Sequence, residues 1–380
     1  YDTIAAADIV WMRGGDQWQY VNQWGGTRAE QAIRDVWQRG DVVGGSSAGC
    51  AVLSELVFDA KNGTVFPDEA LADAYDSRIT FTDDFLPFVP DAILDTHFTE
   101  RGRLGRLAVF TTRPWEDEGR DVLGIGVDDR TALCVSPDGT AEVLGEGCVT
   151  FLHRDAETQT FLQPGLPPIL ASLAHTQLTE GYVYDRATRT VLARPANAIL
   201  PPPPTSDPTF TAIDLDGSVP ADANRGEWKV LDGGDDLALF LGKLQVVPGD
   251  DLLQRTVVST RVWNSTVWDE NRVGGPQYAQ FLDPHLLAVF LDGGVRASTT
   301  ALGRLTATGG GAGAAVLLLD SHGVVSVAQS TYLSSTSSAG PRQSVALEGV
   351  RLHALREGTT FDATSHRVLG GAPYGTGKVT

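Results

Sequence analysis

A serine between small residues is the first feature of this sequence that could carry chemistry. Gly45-Ser46-Ser47-Ala48-Gly49 has the pattern G-x-S-x-G, which is typical of a sharp strand-to-helix turn that exposes the central serine. Larger neighbours would clash in such a turn. We therefore predict Ser47 as a nucleophile, with the backbone N–H of Ala48 helping to bind an oxyanion. The pattern alone is weak evidence, because any small-residue turn between a strand and a helix would produce it.

A serine nucleophile needs a base within hydrogen-bond reach, and histidine is the usual one. The chain has seven histidines, but only His97 directly follows an apolar, strand-like run, Ala92-Ile93-Leu94. In an α/β sheet, functional turns such as the one at Ser47 also lie at the carboxyl ends of strands. We therefore predict His97 as the base.

Three arginines, Arg101, Arg103 and Arg106, follow His97 at spacings of four, six and nine residues. Guanidinium groups bind carboxylates through paired hydrogen bonds, although a solvated basic helix face would look the same. These spacings do not place all three on one helical face. We expect at least one arginine to reach a substrate and one, Arg106, to be structural and to pair with an acidic residue.

A glycine turn, Arg13-Gly14-Gly15-Asp16-Gln17, lies near the start of the chain. Glycines at a strand end allow backbone N–H groups to approach a substrate. Gln17 would add a polar contact there.

Alternating strands and helices are needed to position these residues. Apolar runs that end in glycines predict strands, and helical spacing of apolar residues predicts helices. We predict strands at Asp8–Met12 and Asp41–Gly45, helices at about Ala29–Arg39 and Ala48–Leu56, and a hairpin at Thr131–Leu144. This order favours a doubly wound α/β sheet.

Together the motifs resemble those of the cyanophycinase and aspartyl dipeptidase family of serine peptidases. The resemblance rests on the turn at Gly14–Gln17, on Gly45–Gly49, on a D-x-H-F-x-x-R-G-R-x-G-R segment at Asp95–Arg106, and on Gly124–Ala132. The last stretch is similar to the family's G-I-G-I-D-E-x-T-A. The resemblance covers about residues 1–195, and its arginine-rich segment favours cyanophycinase over the dipeptidase branch.

This resemblance implies a class I glutamine-amidotransferase-like (flavodoxin-like) fold and a Ser-His-Glu triad. It implies an exopeptidase that hydrolyses cyanophycin (multi-L-arginyl-poly-L-aspartate) to β-Asp-Arg dipeptides through an acyl-enzyme. Ser47 would be the nucleophile and His97 the base, and Gly15 and Ala48 would supply oxyanion N–H groups. The implied substrate-binding residues are Gln17, Asp95, Arg101, Arg103 and Arg106.

The acid of the triad has several candidates in the sequence. The family's Glu follows the serine in a loop, and here we expect Glu69, with Asp68 as the alternative. The family also normally has strands before the glycine turn, whereas this sequence begins about a dozen residues before it. We expect either a segment missing from the sequence or another source for these strands.

Other functions remain open at this point. One is an aspartyl or isoaspartyl dipeptidase that acts on short peptides, and another is a non-catalytic binding protein on the same scaffold. A class I amidotransferase would use a cysteine nucleophile, but Cys50 lies past the turn. We predict no cofactor and no metal, because the three cysteines match no zinc motif.

The second half of the chain resembles the first. Leu178–Asp185 is echoed by Leu355–Asp362, Leu133–Gly139 by Leu317–Gly323, and Leu104–Leu107 by Leu302–Leu305. Val289–Asp292 also aligns with Ile93–Asp95. The second half of the sequence has no second G-x-S-x-G. We predict a catalytic domain at residues 1–197, a Pro-rich linker at 198–209, and a degenerate repeat without an active site at 210–380.

The composition limits the partners of this chain. A net charge of −19 argues against nucleic acid, which needs clustered Lys and Arg. The sequence has no apolar stretch of about 18 residues, so we predict no transmembrane helix. We expect a peptide or cyanophycin as substrate, no nucleic acid and no membrane, and we allow for a homodimer. The compartment stays open, with cytoplasmic and secreted locations both compatible with the sequence.

Overall fold

The computed structural model describes residues 1–98, 101, 103–200, 213–216, 267–269, 287–290, 296–299, 304–308, 316–330 and 342–370. The helices in this part of the chain are α1 (Asp2–Ala5), α2 (Gln17–Trp24), α3 (Arg28–Gln38), α4 (Ala48–Ala51), α5 (Pro67–Ala72) and α6 (Leu104–Glu118). The strands up to residue 200 are β1 (Ile9–Met12), β2 (Val42–Gly45), β3 (Ser54–Phe58), β4 (Phe81–Asp83), β5 (Val89–Thr96), β6 (Leu123–Val127), β7 (Thr131–Val135), β8 (Thr140–Gly145), β9 (Val149–His153), β10 (Gln159–Phe161), β11 (Ile169–Leu178), β12 (Val183–Asp185) and β13 (Thr190–Ala193). The later strands are β14 (Ile213–Asp216), β15 (Val267–Asp269), β16 (Leu287–Phe290), β17 (Arg296–Thr299), β18 (Arg304–Thr308), β19 (Val316–Asp320), β20 (Ser326–Gln329), β21 (Arg342–Leu355), β22 (Thr360–Asp362) and β23 (Arg367–Leu369).

After the short helix α1, the chain forms a parallel strand pair and a helix that packs against it. Strands β1 and β2 pair in parallel, with Met12 opposite Gly45. Helix α3 begins at the cap residue Thr27, whose hydroxyl accepts from Ala29 N, and it buries Ala32, Ile33 and Val36 on one face. The two predicted strands and the predicted helix at this end of the chain are confirmed.

A large mixed sheet dominates the structure. Its main path runs β16-β19-β21-β11-β9-β6-β5-β3-β4. Strand β5 pairs in parallel with β3 and with β6, and the other pairs on this path are antiparallel. The α/β prediction is confirmed, with a central sheet that is mixed rather than parallel throughout.

Helix α6 packs closely on this sheet. A Cβ atom at Gly124 of β6 would lie 2.2 Å from Thr111 Oγ1 and 3.2 Å from Leu107 Cγ. The glycine therefore allows the helix to approach the strand, as glycines in strands often do. This helix follows the segment that carries His97, so its packing fixes that segment against the sheet.

The predicted helix at Ala48–Leu56 is wrong beyond its first turn. Helix α4 ends at Ala51, and Ser54–Phe58 form strand β3. Short apolar runs do not distinguish a buried strand from a helix, and here pairing with β5 and β4 makes this run a strand. The predicted hairpin at Thr131–Leu144 is confirmed as β7 and β8, which pair antiparallel.

Both halves of the chain contribute strands to the large sheet, and each also forms a smaller sheet, β13-β12-β8-β7 in the first half and β14-β17-β18-β22-β23 in the second. The order of strand pairs is similar in the two halves. In the first half, β9 pairs with β6 and β11, while β8 pairs with β7 and β12 and β12 pairs with β13. In the second half, β19 pairs with β16 and β21, while β18 pairs with β17 and β22 and β22 pairs with β23. Strands β11 and β21 join the two sets.

These pairings correct part of the predicted repeat. Leu178–Asp185 and Leu355–Asp362 have the same local structure, because each segment runs from a long strand through a turn into the next strand. The other matches are wrong: Leu104–Leu107 is helical while Arg304 and Leu305 lie in β18, and Leu133–Val135 lies in β7 while Leu317–Asp320 lies in β19. Val289 and Phe290 lie in β16, whose pairing corresponds to β6 and not to the β5 strand that carries Ile93.

The predicted linker at 198–209 falls mostly outside the described residues, which stop at residue 200 and resume at 213. Among the helices that the structure describes, none is both long and apolar enough to cross a membrane.

Candidate active site

Ser47 sits in a turn that only small neighbours permit. Its backbone has φ 53° and ψ −125°, a strained conformation for a residue with a side chain. A Cβ atom at Gly45 would lie 2.2 Å from Gly49 O, and one at Gly49 would lie 2.3 Å from Met12 O. Both glycines of the G-x-S-x-G pattern are therefore required by close backbone contacts.

His97 lies directly after strand β5 and reaches Ser47. Its Nε2 is 2.8 Å from Ser47 Oγ. Helix α4, whose N-cap residue is Ser47, packs against β5, and this packing brings Ser47 and His97 together. The His97 backbone also has a positive φ of 47°. Strained residues of this kind cluster at functional sites, and here two of them are hydrogen-bonded to each other.

Asp129 occupies the other side of the His97 ring. Its Oδ1 is 2.5 Å from His97 Nδ1. The contact follows from the sheet, because β5 and β6 are parallel neighbours with Thr96 opposite Val127, so the residues that follow each strand emerge at the same edge. The hydrogen bond from His97 lowers the pKa of Asp129 below the ordinary aspartate value. A carboxylate on Nδ1 fixes the proton there and leaves Nε2 free to accept from the serine hydroxyl.

The prediction that Glu69 faces His97 is wrong. Glu69 lies in helix α5, where its carboxylate accepts from Phe66 N at 2.9 Å and pairs with Arg78 Nη1 at 2.9 Å. It therefore caps a helix and holds a turn. The side chain of Asp68, the alternative, lies outside the described part of the structure.

The sequence contained a signal for Asp129. In the stretch Gly124-Ile125-Gly126-Val127-Asp128-Asp129-Arg130-Thr131-Ala132, Asp129 stands where the family pattern G-I-G-I-D-E-x-T-A has Glu. The predicted acid, Glu69, follows Ser47 more closely along the chain, whereas Asp129 lies after the next strand beyond His97. Asp preserves the carboxylate but shortens the side chain by one methylene.

A cavity of about 300 Å³ opens beside Ser47. It is lined by Gly15, Asp16, Gln17, Ser47, Ala48, Ala60, Gly63, Thr64, Thr96, Arg101, Arg103 and Arg106. Of the predicted oxyanion and substrate-binding residues, only Asp95 is absent from this lining. The lining is mainly polar, so it suits a polar substrate.

Asp95 is buried and paired instead of facing the cavity. It accepts from Arg106 Nε at 2.7 Å and Nη2 at 2.6 Å, and from Arg103 Nη1 at 3.0 Å. Burial alone would raise the pKa of Asp95, but the two guanidinium charges overcome it and the pKa is lowered. The geometry is that of a structural ion pair, which differs from the predicted substrate-binding role of Asp95.

The three arginines have three different surroundings. Arg106 is 2% exposed and also donates to Val65 O. We expected Arg106 to pair with an acidic residue, and its partner is Asp95. Arg103 donates to Thr96 O as well as to Asp95, and burial lowers its pKa to about 10. Arg101 is exposed at the cavity and lowers the pKa of Asp129 by its charge.

The arrangement can support acyl transfer by serine. The three side chains form a continuous hydrogen-bonded relay from Asp129 through His97 to Ser47, and Gly15 and Ala48 lie at the same cavity. The thiol of Cys50 is a poor alternative nucleophile, because burial raises its pKa to about 12. Within the described part of the chain, no three His, Cys, Asp or Glu side chains form a group suited to a metal ion.

Comparison with known proteins gives matches to the first half. Residues 1–143 match the model of Peptidase family S51. Cyanophycinases of Synechococcus elongatus and Thermosynechococcus vestitus are each 31% identical over 198 residues, covering 51% of this chain and 56% of the relative. A cyanophycinase of Geminocystis herdmanii is 29% identical over 197 residues, covering 50% of this chain and 66% of the relative. The chain thus spans little more than half the length of the first of these relatives.

The chain also has matches among solved structures. One of them is the crystal structure of a peptidase from an acI-B1 Actinobacterium, which is 21% identical and has a TM-score of 0.33. The match covers 48% of this chain and 62% of that one.

Proposed function

We propose that the protein is a serine peptidase that hydrolyses cyanophycin to β-Asp-Arg dipeptides. Residues 1–143 match the model of Peptidase family S51, and about half of the chain is similar to cyanophycinases. The observation that carries this proposal is the relay of 2.8 Å and 2.5 Å contacts that joins Ser47, His97 and Asp129. The 31% identity to cyanophycinases supports the choice of substrate.

The reaction would proceed through an acyl-enzyme. His97 Nε2 takes the proton of Ser47 as Oγ attacks the scissile carbonyl, and Asp129 stabilises the resulting imidazolium. The backbone N–H groups of Gly15 and Ala48 would bind the oxyanion that forms. His97 then donates its proton to the leaving amine, and a water molecule, deprotonated by His97, hydrolyses the ester and frees Ser47.

Substrate recognition would use the cationic wall of the cavity. A polyaspartate backbone with β-linked side chains offers free α-carboxylates, which guanidinium groups bind well. Arg101 is the arginine best placed for this role, because Arg103 and Arg106 are already bonded to Asp95. Gln17 lines the same cavity and would add a neutral hydrogen bond.

The direct test is incubation of the full chain with purified cyanophycin, followed by mass spectrometry of the products. We expect β-Asp-Arg dipeptides from the wild type. Ser47→Ala should lose about 10⁶ in kcat, as is typical when a triad nucleophile is removed, and should keep the same circular dichroism spectrum. Cleavage of isoaspartyl dipeptides without cleavage of cyanophycin would favour the dipeptidase alternative, and no cleavage of either would favour a binding protein.

We also propose that the chain has a class I glutamine-amidotransferase-like catalytic domain at residues 1–197 and a degenerate second copy within 210–380. The two identical sets of strand pairs support the copy, and so does the register between them. If Leu355 is matched to Leu178, then Val350, Arg351 and Leu352 correspond to Leu173, Ala174 and His175.

The contact between the two strands has a local two-fold arrangement under this correspondence. Ala174 lies opposite Arg351, its own counterpart. Leu173 lies opposite Leu352, the counterpart of His175, and His175 lies opposite Val350, the counterpart of Leu173. Two copies that meet through the same strand have this symmetry. An experimental structure in which residues 287–369 do not superpose on residues 123–193 would reject the copy.

A further inference from the structure

The loop that carries Asp129, residues 128–130, is held by the turn between β8 and β9. Asp128 N donates to Cys148 O at 3.1 Å, and Cys148 N donates to Asp128 Oδ2 at 2.8 Å. On the other side, Glu146 N donates to Arg130 O at 3.1 Å, and the Arg130 and Glu146 side chains form an ion pair at 3.1 Å. The turn therefore fixes the residues before and after the acid.

The turn and the loop pack without spare room. A Cβ atom at Gly147 would lie 2.7 Å from Asp128 Cβ and 2.6 Å from Thr131 Oγ1. Gly147 N also donates to Thr131 Oγ1 at 2.9 Å. Since close-packed groups transmit displacement to their neighbours, a shift of the turn would shift the loop.

Strand β21, in the second half of the chain, holds this turn from behind. Ser344 Oγ donates to Glu146 O at 3.0 Å. Gln177 of β11 donates through Nε2 to Val345 O at 2.7 Å and contacts Cys148 Sγ at 3.6 Å. Ser344 and Cys148 are each 1% exposed and Gln177 is 4% exposed, so water does not compete for these contacts.

We infer that strand β21, in the second half of the chain, acts as a positioning element for the acid. Its positioning residue is Ser344, and Gln177 of β11 links the Val345 carbonyl of β21 to the turn at Cys148. This inference rests on the proposed function for the role of Asp129. The second half would then have a role in catalysis even though its residue that corresponds to Asp129 is a glycine. With Gly124 matched to Ala288 by the β6–β9 and β16–β19 registers, that counterpart is Gly293.

The consequence for catalysis follows from the short contact between His97 and Asp129. That contact keeps the proton on Nδ1 and orients the ring toward Ser47. If the acid loop moves by a fraction of an ångström, the contact lengthens and the ring samples other orientations. Small misplacements of catalytic groups reduce rates strongly.

The test compares two serine-to-alanine variants of the full chain. Ser344→Ala removes the hydroxyl that holds the turn. Ser326→Ala is the matched control, because Ser326 is also buried, at 0% exposed, and donates to Glu348 Oε2 at 2.5 Å beside the same strand. The double variant Ser344→Ala/Gln177→Leu should have a larger effect than Ser344→Ala alone.

Two measurements report on the contact between Asp129 and His97. The first is the proton NMR signal of His97 Nδ1–H, assigned by its loss in His97→Gln. The second is the rate at which a fluorophosphonate labels Ser47, measured as a function of pH. In Ser344→Ala we expect the signal to shift and labelling to slow by about 2- to 10-fold, the range for one lost hydrogen bond. In Ser326→Ala we expect the NMR signal and the labelling rate to stay at wild-type values, even if its melting temperature falls by as much as that of Ser344→Ala.

Unchanged signal and labelling in both Ser344→Ala and the double variant would overturn the inference. Equal changes in Ser326→Ala would also overturn it, because they would indicate a general loss of stability. If the wild type is not labelled at Ser47, the proposed function fails. The NMR comparison still decides whether the second half positions Asp129.

Discussion

An aspartate–histidine pair is present in each half of the chain, and the two pairs have different surroundings. In the first half, Asp129 contacts His97 Nδ1, and His97 Nε2 contacts Ser47 Oγ at the edge of an open cavity. In the second half, Asp320 contacts His366 Nδ1 at 2.8 Å, the His366 ring stacks on His322 with centroids 4.0 Å apart, and Asp320 is completely buried.

The comparison shows that the pair itself does not make a catalytic site. The pair at Asp129 has a serine in a strained turn on its far side, and a cavity in which a substrate can lie. The pair at Asp320 joins a strand, β19, to the turn between β22 and β23, and it is placed to hold the structure together. Chemistry depends on what the far nitrogen faces and on access from solvent.

The strongest test of this comparison is to neutralise each aspartate in turn. Asp129→Asn should reduce kcat by about 10⁴, because the ring loses its fixed tautomer. Asp320→Asn should leave kcat and KM at wild-type values and lower the melting temperature. Glu69→Gln is a second control, and kcat should be unchanged in it. A large loss of activity in Glu69→Gln with none in Asp129→Asn would reverse the assignment of the acid.

The arginines differ in a similar way, because Arg106 stabilises the fold whereas Arg101 faces the cavity. Arg106→Ala leaves Asp95 buried without its bidentate partner, so we expect a loss of about 3–5 kcal/mol in the free energy of unfolding. Urea denaturation measures this loss. Arg39→Ala is the control, because Arg39 pairs with Asp41 at the surface and such pairs contribute at most about 1 kcal/mol. Similar losses in both variants would contradict the buried role of Arg106.

Arg101→Ala should affect binding and leave stability unchanged. Arg101 is exposed at the cavity, and a lost hydrogen bond to a charged group costs about 1.5–3 kcal/mol. We therefore expect KM for cyanophycin to rise about 10- to 100-fold, with kcat nearly unchanged. Arg101→Lys, which keeps the charge, should recover part of the loss. A wild-type KM in Arg101→Ala would remove this residue from the substrate site.

The smallest expected effect is a pH dependence of the unfolding free energy that arises from the buried Asp320–His366 pair. Burial alone would raise the pKa of Asp320, but the neighbouring His366 and His353 lower it to about 2. Because the folded pKa lies below the unfolded value, this stabilisation is present above about pH 4 and is lost as the pH falls toward about 2, and it amounts to about 2 kcal/mol. The difference in unfolding free energy between wild type and Asp320→Asn should shrink over this range. A constant difference would contradict the lowered pKa.

Several elements could be predicted from the sequence because their signals are local. The strands at β1 and β2 are short apolar runs that end in glycines, and the turn at Ser47 needs glycines at fixed positions on both sides. The helix α3 has one apolar face and a threonine cap. His97 could be placed because the apolar run before it is a strand in any α/β arrangement. None of these signals depends on which strands are neighbours.

Other features depended on the tertiary structure. The residues after Ala51 are apolar enough for either a helix or a strand, and only pairing with β5 and β4 makes them a strand. Three of the four short sequence matches between the halves failed for the same reason, since the matched residues lie in elements that are paired differently. The family resemblance implied a substrate-binding role for Asp95, but it is buried among guanidinium groups.

The sequence by itself determined the α/β class and was enough to predict the proposed nucleophile and base, because a G-x-S-x-G turn and a histidine at a strand end are properties of contiguous residues. The family pattern gave a signal for Asp129, but only the tertiary structure placed a carboxylate against His97. Glu69 and Asp129 are equivalent as isolated carboxylates, and the choice depends on the parallel pairing of β5 with β6, which brings the residues after Thr96 and after Val127 to the same edge. Strand order is set by the packing of the whole sheet, and no local pattern of residues encodes it.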